Sequence, residues 1–295
     1  MPDFSTLRYE TRAAKAYVTL SRPDRLNAIN DEMPRDIRAA VERANADDAV
    51  RVIVLQGEGR AFCAGYDLKQ YAEGDDAWNQ PPVWDPIRDY RNMRRNTDDF
   101  FTLWRSLKPT IAKVHGYAVA GGSDIALSCD MLVMAEDARI GYPPARVWGC
   151  PTTAMWVYRL GAQRAKRMLL TGDTVTGATA AEWGLAIEAV PADRLDAAVD
   201  ELADRIAGVP INQLVMQKLM INQAYDNMGL EGTQIIATLF DGITRHSPEG
   251  RWFKAFSEEH GFQEAVAWRD SGRRIPDGGG PLPPPEELVS ATKPS

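Results

Sequence analysis

Two glycine-centred segments hold the residues best able to do chemistry. The first is GRAFCAGYDLK at 59–69 and the second is HGYAVAGGSDIAL at 115–127. Each follows a short β-branched run, RVIVL at 51–55 and TIAKV at 110–114, and each leads into a helix-forming stretch. A strand that ends in small residues and bends into a helix leaves backbone N–H groups unpaired. In open α/β sheets ligands bind at that C-terminal edge. Two such turns on neighbouring strands could aim two N–H groups at one oxygen, with the helix dipole from Gly122 onward adding positive potential. That is the anatomy of an oxyanion hole, although spacing alone equally allows two tight turns with no ligand. Asp124 adds a carboxylate that either moves protons or caps the helix.

Other chemistry-bearing patterns fail on a single residue each. Gly57-Glu58-Gly59 would need glycine at 62 to bind a dinucleotide, and Phe62 stands there. Gly116 and Gly121 have the spacing of a phosphate loop, but the lysine such a loop needs is Gly122. A nucleophile elbow at Ser123 fails because Ile125 occupies its last glycine position. His115, His246 and His260 show no metal-ligand spacing among themselves or with Cys63, Cys129 and Cys150, and they read as structural or exposed.

These turns need elements to hold them. Alternation on either side of residues 11–15 predicts a hairpin, and a helix over 31–45 follows, with Asn30 as its cap. The runs 51–55, 110–114 and 131–135 read as strands buried on both faces and separated by helices, so a largely parallel sheet is expected. Residues 86–106 predict a helix, preceded by the loop 75–86. The aromatics of this region, among them Trp78, Trp84, Phe101 and Trp104, either line a pocket or pack the loop onto the body. Beyond 195 only helices are expected, at 195–207, 211–228 and 231–245. The Pro- and Gly-rich end, 273–295, reads as a mobile tail.

Composition narrows the function further. The chain has 295 residues, 44% hydrophobic and 25% charged, and carries 41 acidic against 34 basic side chains, a net charge of −7. That balance disfavours nucleic-acid binding. Three cysteines without a CxxC argue against a disulfide framework or a zinc cluster and for a reducing compartment. No apolar run suits a signal peptide or a membrane span. A cytoplasmic protein is expected.

The segments RPDRLNAIN (22–30), VIVLQGEGRAFCAGYDLK (52–69), KPTIAKVHGYAVAGGSDIALSCDMLVMAEDARIG (108–141) and LLTGDTVTGATAAEWGLAIEAV (169–190) resemble, in order, the enoyl-CoA hydratase/isomerase or crotonase superfamily. The resemblance covers about residues 5 to 265. It implies an α/β spiral of ββα repeats over 1–194 and a helical trimerisation region over 195–272, assembled as trimers or hexamers. It also implies an acyl-CoA substrate, with coenzyme A as part of that substrate and no separate cofactor. By position, the oxyanion donors would be the N–H groups of Tyr66 and Gly121. Tyr66, Asp67, Leu68 and Lys69 would border the thioester and pantetheine, with Arg25, Leu26 and Ala64 near the nucleotide. Tyr142 would line the pocket. Asp67 would chiefly brace the oxyanion turn.

The chain departs from the family pattern at its acids. Hydratases of the family place two Glu at the reacting carbons, and here those positions are Asp124 and Pro144. Proline cannot titrate, which leaves Asp124 as the acid/base and Tyr142 or Arg146 as stand-ins for the second group. An Asp carboxylate also sits on the order of 1.5 Å short of a Glu, and ~1 Å of misplacement can cost ~10²-fold in rate. At the C-terminus, acids occupy the place of a CoA-binding lysine, which Lys254 or Arg251 could replace. The resemblance therefore implies an enoyl-CoA hydratase/isomerase-type enzyme that works through an enolate. The alternatives are a decarboxylase or thioester hydrolase of the same fold, or a non-catalytic acyl-CoA-binding protein.

Overall fold

The structure is a computed structural model that describes residues 4–73 and 83–276. In chain order it begins with β1 (Leu7–Arg12), β2 (Lys15–Leu20), α1 (Met33–Ala46), β3 (Val52–Gly57) and α2 (Leu68–Tyr71). Next come α3 (Pro86–Phe100), α4 (Thr102–Arg105), β4 (Thr110–Val114), β5 (Tyr117–Val119) and α5 (Gly121–Leu127). They are followed by β6 (Met131–Ala135), β7 (Arg139–Gly141), α6 (Met155–Thr171), β8 (Thr174–Thr176), α7 (Gly177–Glu182) and β9 (Glu188–Val190). The rest is helical: α8 (Leu195–Ala207), α9 (Ile211–Asn227), α10 (Leu230–His246), α11 (Pro248–His260) and α12 (Phe262–Asp270).

Two sheets share the chain. The larger has the order β1-β2-β3-β4-β6-β9, with the β1–β2 hairpin antiparallel and every later pairing parallel. Val52, Ile53, Val54 and Leu55 of β3 are all fully buried, as a strand covered on both faces requires. The smaller sheet, β5-β7-β8, is continued by two isolated parallel bridges, Cys63↔Ala118 and Ile29↔Tyr66. The chain thus repeats a pattern: a strand in the large sheet, a short extended piece in the small one, then a helix. β4, β5 and α5 form one such turn, and β6, β7 and α6 form the next. This is the α/β spiral with a helical C-terminal part that the sequence implied.

Local chemistry explains most boundaries. Asn30 does not occupy the capping position of α1, which belongs to Glu32, yet its Oδ1 accepts the Met33 N–H at 3.2 Å. Asp85 caps α3 by accepting from the N–H groups of Ile87 and Arg88. The single helix expected over 86–106 is divided at Phe101, whose ring is buried with Phe100 and Trp104 in the main core. No helix among the described residues is long and apolar enough to cross a membrane. Trp78 and the tail beyond 276 lie outside the described residues.

Candidate active site

The two glycine turns meet. The Cys63↔Ala118 bridge, with Cys63 N–H donating to Tyr117 O at 2.9 Å and Val119 N–H to Cys63 O at 3.1 Å, sets them side by side. Only glycine fits where they touch. A Cβ at Gly122 would lie 2.1 Å from the Cys63 carbonyl oxygen, and one at Gly65 would lie 2.6 Å from Ala120 Cβ. Ala120 holds φ +54° and ψ −130°, a conformation that L-residues rarely adopt. Its N–H is used, donating to Gly141 O at 3.0 Å, as is that of Asp67, donating to Ile29 O at 3.0 Å. The N–H groups of Gly121 and Tyr66, immediately beside them, donate to no partner among the described residues.

These turns open onto a cleft of about 410 Å³. Asp124 lines it from the first turn of α5, only 3% exposed. Burial raises its pKa from 3.8 to about 7, hydrogen bonds from the Thr153 hydroxyl and N–H oppose the rise, and the Asp241 carboxylate adds to it. The N-cap position of the helix is Ala120, with no side-chain cap, and the Asp124 carboxyl bonds the Thr153 hydroxyl. Gln234 of α10 in turn holds the Thr153 carbonyl at 3.0 Å. Tyr142 and Tyr66 also border the cleft, and burial pushes both phenols well above their ordinary range. The Tyr66 hydroxyl rests against Met93 Sδ at 3.5 Å and bonds the Asn96 side chain.

The enoyl-CoA hydratase/isomerase family model matches residues 10–264. The chain belongs to this family. An enoyl-CoA hydratase from Mycobacterium smegmatis superposes with a TM-score of 0.87 at 48% identity, covering 92% of this chain and 96% of that one. An enoyl-CoA hydratase/isomerase from Xanthobacter autotrophicus Py2 gives 0.84 at 31% identity, covering 92% and 100%. The (E)-benzylidenesuccinyl-CoA hydratase of Thauera aromatica is 30% identical over 250 residues, 82% of this chain and 92% of its own length. An enzyme of the hydratase/isomerase type fits all of these.

Within this family member, Ala64, Tyr66, Leu68, Gly121, Asp124 and Tyr142 come together on the cleft wall. Arg25, Leu26, Asp67 and Lys69 do not line it. Arg25 ends the short turn Pro23–Arg25, Leu26 accepts the Ala64 N–H at 3.0 Å, and Lys69 is exposed on α2. Asp67 forms an ion pair with Arg22 at 3.0 Å, which ties the first glycine turn to the 22–30 segment. Pro144 is on the cleft wall, whereas Arg146 is not. Its guanidinium bonds Thr171 O at 2.7 Å and Asp270 at 3.0 Å, so it is no stand-in for a second acid. Trp84 packs on the body, stacked against His246 with ring centroids 4.6 Å apart.

Sequence reasoning missed Thr153 and the polar face of α10. Gln234, Thr238, Asp241 and Arg245 are all buried, and Asp241 and Arg245 border the cleft. Their spacing of four, three and four residues places them on one helix face, a signal visible in the sequence. Asp241 Oδ1 accepts the Cys150 N–H at 3.1 Å and its Oδ2 accepts Arg245 Nε–H at 3.2 Å. Arg245 Nη2 also donates to Asp89 of α3 at 2.8 Å.

Proposed function

We propose that this enzyme forms an enolate-like anion on an acyl-CoA thioester and moves a proton at the carbon next to it through Asp124. The observation that carries this reading is a buried carboxyl, raised to about 7, lining the same cleft as Tyr66 and Gly121, whose N–H groups have no partner among the described residues. Those N–H groups, on Tyr66 and Gly121, would hold the thioester oxygen as it gains negative charge. Each such donor is worth roughly 10²- to 10³-fold in rate. Ala64, Leu68 and Tyr142 would flank the acyl and pantetheine groups, and Arg25, Leu26 and Lys69 would meet the CoA moiety outside the cleft. Asp67 would hold the turn through Arg22. Pro144 takes the place of the second hydratase Glu, so one of the two expected acids is absent from its usual position. No cofactor beyond the substrate's own coenzyme A is called for.

We assign the enzyme to the cytoplasm, in keeping with three unpaired cysteines, and to a trimer or hexamer. Support for assembly is the exposed apolar stripe Ile236, Phe240 and Ile243 on α10, together with the exposed Met216 and Met220 of α9.

The test is a panel of 2-enoyl- and 3-enoyl-CoAs turned over by the wild type and Asp124→Ala, with products identified by mass. The expected result is hydration or a double-bond shift, lowered at least ~10²-fold in the variant. Equal rates would remove Asp124 from the mechanism. Free CoA or CO₂ from β-hydroxyacyl or malonyl-type thioesters would establish the hydrolase or decarboxylase instead. Tight binding with neither product nor α-proton exchange would leave a binding protein.

A further inference from the structure

Asp241 is a second buried carboxylate in the cleft, and the chemistry above gives it no task. It comes from α10, far in sequence from both glycine turns, yet it borders the same cleft as Asp124. A carboxylate offers about four acceptor positions. Among the described residues only two are taken, one on each oxygen, by Cys150 N–H and Arg245 Nε–H. Each oxygen thus keeps a lone pair for a donor that enters from the cleft.

The two carboxyls have opposite surroundings. Asp241 is also raised by burial, but it lies against the Arg245 guanidinium, which favours its ionised form and limits that rise. Among the described residues Asp124 has no cation against it and bonds only neutral donors on Thr153, and burial holds its proton to about pH 7. Environments that separate two carboxyls in one site divide acid from base.

We propose that Asp241 is the water-activating base of this cleft, working with Asp124 and in place of the residue that Pro144 replaces. The inference rests on the enolate reading above. Asp241 takes one proton from a water whose oxygen bonds to Cβ of the enoyl thioester. The electron pair of the Cα=Cβ bond moves to the thioester, giving the enolate oxygen held by the Tyr66 and Gly121 N–H groups. Asp124 then gives its proton to Cα as the C=O bond re-forms. The sum is addition of water, with no change of oxidation state. Proton exchange with solvent returns Asp241 to its base form and Asp124 to its acid form.

The experiment uses the full-length chain, wild type and Asp241→Asn, Asp241→Glu and Asp124→Asn variants. Hydration of a short trans-2-enoyl-CoA is followed by loss of the conjugated absorbance, and α-proton exchange of a saturated acyl-CoA in D₂O by mass. The groups facing Asp241 are Asp124, Asp89, Arg245, Cys150, Tyr66 and Tyr142, so pH profiles are measured for both Asn variants to assign each limb. Asp241→Asn is expected to lower hydration by ~10²-fold or more, to lower exchange far less, and to abolish the acid limb of kcat/KM. Asp241→Glu should regain part of the rate. Hydration within about 3-fold of wild type, or hydration and exchange falling by one common factor, would overturn the proposal. A wild-type profile without an acid limb would overturn it even if Asp241→Asn does not fold, as would wild-type exchange without hydration. A wild type that neither hydrates nor exchanges would instead defeat the enolate reading.

Discussion

Asp124→Asn should make this protein harder to unfold, by a margin that grows with pH. Burial holds the folded carboxyl at about 7, against 3.8 for an unhindered aspartate. Between those values the unfolded chain has released its proton while the folded chain keeps it, so the native state loses stability as pH rises. The separation of about 3 units amounts to about 4 kcal/mol, at 1.36 kcal/mol per unit. At pH 5 the unfolded carboxyl is mostly ionised and somewhat under half of that loss is already expressed; by pH 8 nearly all of it is. Asn stays neutral throughout. The stability gap between variant and wild type should therefore widen by roughly 2–3 kcal/mol from pH 5 to pH 8. Any penalty from the changed Thr153 contacts is the same at both pH values and cancels. The assay is urea unfolding at fixed protein concentration, because self-association would otherwise shift the midpoint. With a slope of roughly 3 kcal/mol per molar urea, the difference in midpoint should change by just under ~1 M. A midpoint difference that is equal at both pH values would refute the placement of a neutral, desolvated carboxyl at this site.

Three further outcomes follow from individual contacts. Gly122→Ala places a methyl 2.1 Å from the Cys63 carbonyl, so it should cost on the order of 1–3 kcal/mol in thermal unfolding and sharply lower turnover by parting the two turns. Unchanged melting would mean that the turns are not packed this tightly. Thr153→Val removes a donor to the ionised form of Asp124, worth roughly 1.5–3 kcal/mol, and should move the alkaline limb of kcat/KM up by about one to two pH units. A stationary limb would separate Thr153 from the titration. Phe240→Glu puts a charge on the exposed stripe of α10, and size-exclusion chromatography should show the proposed trimer or hexamer falling to a smaller species; an unchanged elution volume would remove this stripe from the proposed interface.

Much of the body was legible in the chain because each feature depends on near neighbours. The strands at 110–114 and 131–135 match β4 and β6, since short, mostly apolar and β-branched runs mark strands that are largely buried. The crowded glycines of 59–69 and 115–127 marked the two turns, because no other residue tolerates such close backbone approach. The three-residue strands β5, β7, β8 and β9 escaped notice: three residues carry no periodicity, and they are strands only by virtue of their partners. The split at Phe101 was equally hidden, as core packing rather than any breaker residue accompanies it.

The site divides the same way. Asp124 and the glycines beside it could be named from the chain alone. Its pKa could not, because the shift comes from desolvation and from Thr153 and Asp241, neither of them near it in sequence. Pro144 reads in the sequence as a missing acid, yet the carboxylate that shares the cleft enters from α10, and Arg146, the nearest apparent replacement, is off the cleft wall and tied to Thr171 and Asp270. Residue type and local sterics set where the backbone bends, but a buried charge is governed by whichever groups folding brings within a few ångströms of it.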